Sequence, residues 1–299
     1  MKKYFFTITI AAIALFALAA CGNKTDKGDG ADSTATEQGD EAKGKPMGFT
    51  WDYPEGSALE NVDNIACVLY AAGYVNAQEE GKDPAEQIHI YYDGTLEEAG
   101  ENVSKVKGVV DVYEIPNSLL IPIYKDAKAK KGDILLTWWQ SGSGMQHAIV
   151  TDAANPAEPT TSYLSLDYKG DGTGIAEKKI DQLKPNSFIV LTDGKWEPGQ
   201  PIIVKDGDEE KFGTLLNIAG DKVLWHGFAD KVYVAKKADC RLMPLKPSFS
   251  AGDKVKYEFV GELRDGATVT KYDPAIGRVW IKIDNRDEEE IKSIFEVVK

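Results

Sequence analysis

The chain repeats itself, and this limits its fold to small, similar pieces. Ile115-Pro116-Asn117-Ser118-Leu119-Leu120-Ile121 is matched by Lys184-Pro185-Asn186-Ser187-Phe188-Ile189-Val190, with a shorter echo at Lys246-Pro247-Ser248-Phe249. Asp83-Pro84-Ala85, Asn155-Pro156-Ala157 and Asp273-Pro274-Ala275 each separate two apolar runs. The first two pairs of landmarks are offset by roughly 70 residues, the range in which internal periodicity marks repeated supersecondary units. Other phrases keep the same phase. Gly132-Asp133-Ile134-Leu135-Leu136, Gly199-Gln200-Pro201-Ile202-Ile203-Val204 and Gly252-Asp253-Lys254-Val255 each open a unit, and Asp63-Asn64-Ile65-Ala66-Cys67-Val68 holds the equivalent place in a divergent first one.

Within a unit the pattern is strand and turn. Lys254 to Phe259, Gly266 to Tyr272 and Gly277 to Ile283 are runs rich in β-branched and aromatic residues, bounded by Gly, Pro, Asp and Asn. The preceding unit repeats the plan in Phe212 to Ile218, Asp221 to Trp225 and Lys231 to Ala235. No long helix is required, and Ser293 to Val298 is expected to form one short helical turn. About five short strands in 50–70 residues is the size of a small barrel, which removes exposed sheet edges by closing on itself. The Gly-Asp-Val opening, the central hairpin and the apolar last segment resemble SH3-like barrels of the Tudor or agenet kind. The expected fold class is therefore all-β, with about four tandem SH3-like units.

The N-terminus carries a different signal. Met1-Lys2-Lys3 is basic, Tyr4 to Ala20 is a nearly uncharged apolar run, and Leu18-Ala19-Ala20-Cys21 ends it in small residues before a cysteine. The run is short for a membrane span. It resembles a bacterial lipoprotein signal peptide, which implies cleavage before Cys21 and acylation of that cysteine. One fatty chain holds a protein only marginally, so durable anchoring needs the two or three chains, palmitate among them, that the resemblance implies. Gly22 to about Lys45 has no large apolar residue and reads as a disordered leash, with a root-mean-square span of roughly 25–30 Å. The expected organisation is a signal peptide over 1–20, lipidated cysteine and linker over 21–45, and units over 46–122, 123–195, 196–249 and 250–299.

Charge narrows the partners. The chain carries a net charge of -13, with 48 acidic residues against 35 basic ones, and loses Lys2 and Lys3 with the signal peptide. Phosphate backbones are bound through clustered Lys and Arg, so nucleic acid is not expected. The expected partners are the membrane, through the lipid, and a protein, peptide or envelope polymer. The expected location is the bacterial cell envelope.

Three chemistries compete for the folded units. Cys67, the Gly132-Asp133 strand start and His147 follow one another in the order that resembles NlpC/P60 peptidases, in which a helix-borne Cys is activated by a strand-borne His. The family's Asp-Cys-Ser-Gly surroundings are absent here. The repeat phase also sets Cys67 opposite Leu136, as a small apolar residue on a strand, and leaves His147 at a surface or strand end. His89 and His226 alternate with apolar neighbours and are expected to face solvent, and three histidines in separate units have no metal-ligand spacing. The acidic turns Asp167 to Gly172 and Asp206 to Glu210 lack EF-hand spacing, so neither a metal nor another cofactor is expected. The aromatic residues are the remaining candidates. Tyr70, Trp139 and Phe259 share one slot near the end of a first strand. The Tudor-like resemblance implies aromatic cages from Trp138, Trp139, Tyr163 and Tyr168 in the second unit and from Tyr257, Tyr272 and Trp280 in the fourth, holding a cation through its attraction to π faces. The leading expectation is a non-enzymatic binding or scaffold lipoprotein; the alternatives are a cell-wall cysteine hydrolase and a structural spacer.

Overall fold

The computed structural model describes residues 51–142, 144–164 and 180–299. Cys21, the leash, Tyr168 and the turn 167–172 lie outside the described residues. The fold is all-β, with antiparallel sheets and, among the described residues, one α-helix.

One pairing order recurs along the chain. Strands β1 (Ile65–Ala71), β2 (Tyr91–Glu98), β3 (Val103–Lys107), β4 (Val112–Pro116) and β5 (Leu120–Tyr124) form a sheet in which the fifth strand pairs with the first and the others follow in sequence. The same order is found in β6 (Ile134–Trp138), β7 (Met145–Asp152), β8 (Thr160–Tyr163), β9 (Ile180–Gln182) and β10 (Ile189–Val190). Next come β11 (Pro201–Asp206), β12 (Glu209–Ala219), β13 (Lys222–His226), β14 (Val232–Lys236) and β15 (Cys240–Leu242), then β16 (Lys254–Phe259), β17 (Glu262–Asp273), β18 (Arg278–Ile283), β19 (Glu289–Ser293) and β20 (Val297–Val298). Both sets pair fifth to first, first to second, and onward in sequence. A single pair, Lys211 opposite Glu262, joins these two sets into one sheet.

The turns recur as well. Gly132, Gly199 and Gly252 all take positive φ, at 82°, 93° and 94°, a region that costs a side chain dearly and glycine little. Each donates its N–H at 2.8 Å to a residue of the second strand: Val150, Leu215 and Val269. Those residues answer by donating to the carbonyls of Asp133, Gln200 and Asp253 at 2.8–2.9 Å. Immediately afterwards the register slips, between Val150 and Asp152, Leu215 and Asn217, and Val269 and Lys271. Such bulges bend a strand and raise its twist, which turns a flat ladder toward closure.

Several expectations are corrected. The run after β1 forms α1 (Ala72–Glu80), which buries Tyr74, Val75 and Ala77. Ser293 to Val298 is no helical turn; Ser293 ends β19 and Val297–Val298 is β20.

The hydrophobic core explains why some strands are apolar throughout. Leu135 packs in a cluster with Tyr163 and Phe188, whereas its neighbours Ile134 and Leu136 join a large cluster that also takes side chains from the other three sets of strands. Ile202 and Val204 likewise face Leu215 and Trp225, while Ile203 faces the large cluster. A strand buried on both faces reads as a continuous apolar run. Burying each such Leu or Ile contributes about 1.5–3 kcal/mol.

Polar contacts cross the same junctions. Arg278, fully buried, donates to the carbonyls of Tyr163 and Leu164. Trp51 Nε1 donates to Val232 O at 3.0 Å, and Tyr53 Oη to Asn217 Oδ1 at 2.7 Å.

Candidate functional site

The three histidines do not face solvent. His89 and His147 are buried and His226 is largely so. His147 lies mid-strand in β7, where Nε2 donates to Gly199 O at 2.6 Å and the ring meets Phe295 edge-on at 5.2 Å. His226 Nε2 donates to His89 O at 3.1 Å and stands 3.5 Å from Asp230 Oδ1. His89 Nε2 donates to Pro84 O at 2.8 Å, with the ring against Trp51. Burial holds the His89 and His147 imidazoles down at about 4, and the neighbouring His226 lowers both further. Burial lowers His226 too, against the pull of Asp230 and the bond to His89 O. Burial favours the neutral form of all three imidazoles, each with a proton on Nε2 directed at a carbonyl.

His147 and His226 line a cleft of about 420 Å³. β7, β12, β13 and β16 contribute to its walls, together with the segment 293–296. Gly213 lines the cleft, and a Cβ there would stand 2.4 Å from the Trp225 ring and 2.5 Å from His226 O, so β12 approaches β13 here only through glycine. Glu258 Oε1 accepts from Gly261 N at 2.7 Å, and its Oε2 is 3.7 Å from Lys292 Nζ. Glu296 Oε2 accepts from Ser293 N at 2.6 Å. Burial raises the Glu296 carboxyl above its ordinary range, and Glu258 adds to this, whereas Lys292, the Ser293 N–H and Arg278 pull it down.

The rim is apolar and strained. Phe228 and Val260 are 52% and 54% exposed. Val260 and Gly261 form the two-residue turn between β16 and β17, with φ of 57° and 82°. Such turns favour Asn-Gly or Asp-Gly, and a β-branched residue at positive φ is a genuine outlier. Ala229 and Asp230, beside Phe228, also take positive φ, at 57° and 55°. Strain of this kind collects at binding and switch sites.

The other candidate residues lie elsewhere. Cys67, half-buried on β1, donates to Asn186 O at 3.6 Å, and burial with the nearby Asp93 pushes its thiol up to about 12. A nucleophilic cysteine needs the opposite shift. The Cys67 thiol and His147 Nε2 thus serve carbonyls of different loops. Cys67 and Cys240 are both free thiols. None of the six described cage candidates lines the cleft. Tyr163 is fully buried and its hydroxyl donates to Asp181 Oδ2 at 2.9 Å; Tyr257 is buried as well. Trp138 and Trp139 pack half-buried against separate core clusters. Tyr272 donates to Pro247 O at 2.8 Å, and the Trp280 face is covered by the Lys271 ammonium at 4.2 Å.

No group of three or more His, Cys, Asp or Glu among the described residues is arranged to hold a metal. The turn at Asp206 is closed by its own Lys211. A second cleft, about 360 Å³, is lined by Arg241, Lys246 and Lys299, but these face Glu210, Asp133 and Asp253 respectively. Sequence reasoning missed Asp230, Glu258, Glu296 and Phe228. One signal was legible: Val260-Gly261 stands where turn chemistry asks for Asn or Asp before the glycine. No protein-family model matches the chain, and no curated protein matches it in sequence.

Proposed function

We propose that this chain is a lipid-anchored, non-enzymatic binding protein of the bacterial envelope, built from four tandem SH3-like units, with its ligand site in the cleft where strands of different units meet. The observation that carries the reading is the cleft itself: about 420 Å³, walled by Glu258, Glu296 and two histidines, with the exposed Phe228 in its lining and the left-handed residues Ala229, Asp230, Val260 and Gly261 in the turns that bound it. Ligand sites favour such concave junctions, where apolar walls carry a few fixed polar groups. The recurring strand order and the recurring Gly turns support the tandem-unit part of the reading. The acylated Cys21 and its leash would set the reach of the site from the membrane and its local concentration there. The raised Cys67 thiol favours binding over cysteine hydrolysis.

The test is site-directed photocrosslinking in intact envelopes. A photoreactive residue at position 228 is compared with one at 109, on a different turn and 87% exposed. The reading expects a discrete product from 228 and none from 109. Thr214→Trp, which fills the cleft, should abolish that product. Equal capture at both positions, or capture indifferent to Thr214→Trp, overturns the proposal.

A further inference from the structure

The fixed charges that line the cleft are all acidic. Three carboxylates line it, from Asp230, Glu258 and Glu296, and no Lys or Arg does. The two histidines contribute no free charge at neutral pH, and both direct their Nε2 protons to carbonyls. Gln146, a lining residue 8% exposed, keeps its Oε1 buried with no hydrogen-bond partner. Outside the lining, Lys292 stands 3.7 Å from Glu258 Oε2, and both Lys292 and Arg278 favour the charged form of Glu296. Glu258 is held through both oxygens, by the Gly261 N–H and the Lys292 ammonium, and Glu296 by the Ser293 N–H. Carboxylates fixed in this way are pre-organised, so a ligand loses little of its binding energy to ordering them.

Thr214 and Ser293 add hydroxyls to the wall, and its large side chains are apolar. Phe212, Phe295 and Leu164 line it, and Phe228 stands at the mouth. Aromatic faces beside carboxylates attract a cation twice over, by charge and by the ring quadrupole. An anionic ligand would meet three carboxylates with no basic residue in the lining. The volume suits a compact molecule or one side chain of a longer one.

From this balance we infer that the cleft takes a protonated amine carried on an apolar body, the ammonium seated between Glu258 and Glu296 and the body against the phenylalanines. The inference rests on the cleft being the ligand site. A bound ammonium supplies the positive charge that the lining lacks, and it favours the charged form of Glu296 that burial opposes.

The test is a titration of the ¹⁵N-labelled chain at pH 7.5 with three probes of one shape: 2-phenylethylamine, 2-phenylethanol and phenylacetate. The amine should shift the Gly213, Gly227 and Gly261 amides, bind at least about ten-fold more tightly than the alcohol, and leave phenylacetate without effect. Glu296→Gln and Glu258→Gln should each weaken the amine by about five-fold or more while the alcohol is unchanged. If a glutamate substitution prevents folding, the contrast between amine and alcohol on the unaltered chain decides alone. Equal binding of amine and alcohol overturns the charge assignment and leaves the cleft as a ligand site. If none of the probes moves those amides, both the assignment and the cleft fail.

Discussion

Acidification from pH 7.5 to 4.5 should destabilise this protein through two buried imidazoles. His89 and His147 are held at about 4 in the fold, against about 6.5 in an unfolded chain. A folded value below the unfolded one means that the unfolded chain takes up protons first. Their contribution is therefore complete above about pH 6.5 and falls away as the pH drops toward 4. At pH 4.5 an unfolded imidazole is about 99% protonated and a folded one about a quarter. The difference integrates to about 2.5 kcal/mol for each histidine, or about 5 kcal/mol for the pair. A typical domain has only about 5–15 kcal/mol in all.

The charged neighbours do not cancel this. Glu210 and Asp253 are held below their ordinary values by ion pairs, so their contribution is lost at still lower pH. Glu296 is raised by burial, and it opposes the loss as the pH falls through its folded value. Urea denaturation followed by tryptophan fluorescence at half-unit pH steps measures the sum. The free energy of unfolding should fall by up to about 2.7 kcal/mol per pH unit between pH 6 and 5. His147→Gln and His89→Gln should each remove about half of that slope. A flat wild-type profile, or a full slope in His147→Gln, refutes the reasoning.

Other outcomes test separate parts of the structure. Arg278→Met leaves the buried carbonyls of Tyr163 and Leu164 without their donor, at about 1–3 kcal/mol for each; the thermal midpoint should drop accordingly, and an unchanged midpoint would show that the guanidinium holds nothing. Val260→Asn relieves a left-handed β-branched residue, a strain of about 1–2 kcal/mol. It should raise the urea midpoint while weakening photocapture at the rim, because the apolar surface there is lost. At pH 8 the native Cys67 thiol should react with a disulfide reagent about a thousand-fold more slowly than in urea, and Cys67→Ala should leave binding intact; a fast native thiol would reopen the hydrolase reading. Cys21→Ser should move the protein from the membrane to the soluble fraction, and retention on the membrane would count against the lipid anchor.

Much of the strand pattern was legible. Lys254 to Phe259 is β16, which alternates over its first residues, and Asp221 to Trp225 overlaps β13, a short run of apolar residues; both end in glycine-containing turns. Helix α1 was not legible. Nine residues give too few turns for a periodic signal, and Gly73 lies near its start. The histidines failed for a different reason. Alternation tells core from solvent only when one face of a strand is wet. His89, expected on a strand, lies instead in the loop before β2, where Trp51 and the turn at Asp230 cover it. The cleft was invisible because Gln146, His226, Glu258 and Glu296 are far apart in sequence. Their proximity depends on how the sets pack, which no local pattern records.

The strands buried on both faces, β6 and β11, have a consequence for how such a chain can change over generations. An array of beads on a string gains or loses a bead by recombination at little cost. Here, excision of the stretch that carries Ile134 and Leu136 would lay bare Ile203 and the other side chains they cover. Copy number is thus fixed by the shared interior, and diversity can enter only through substitution at the turns, where Val260 stands.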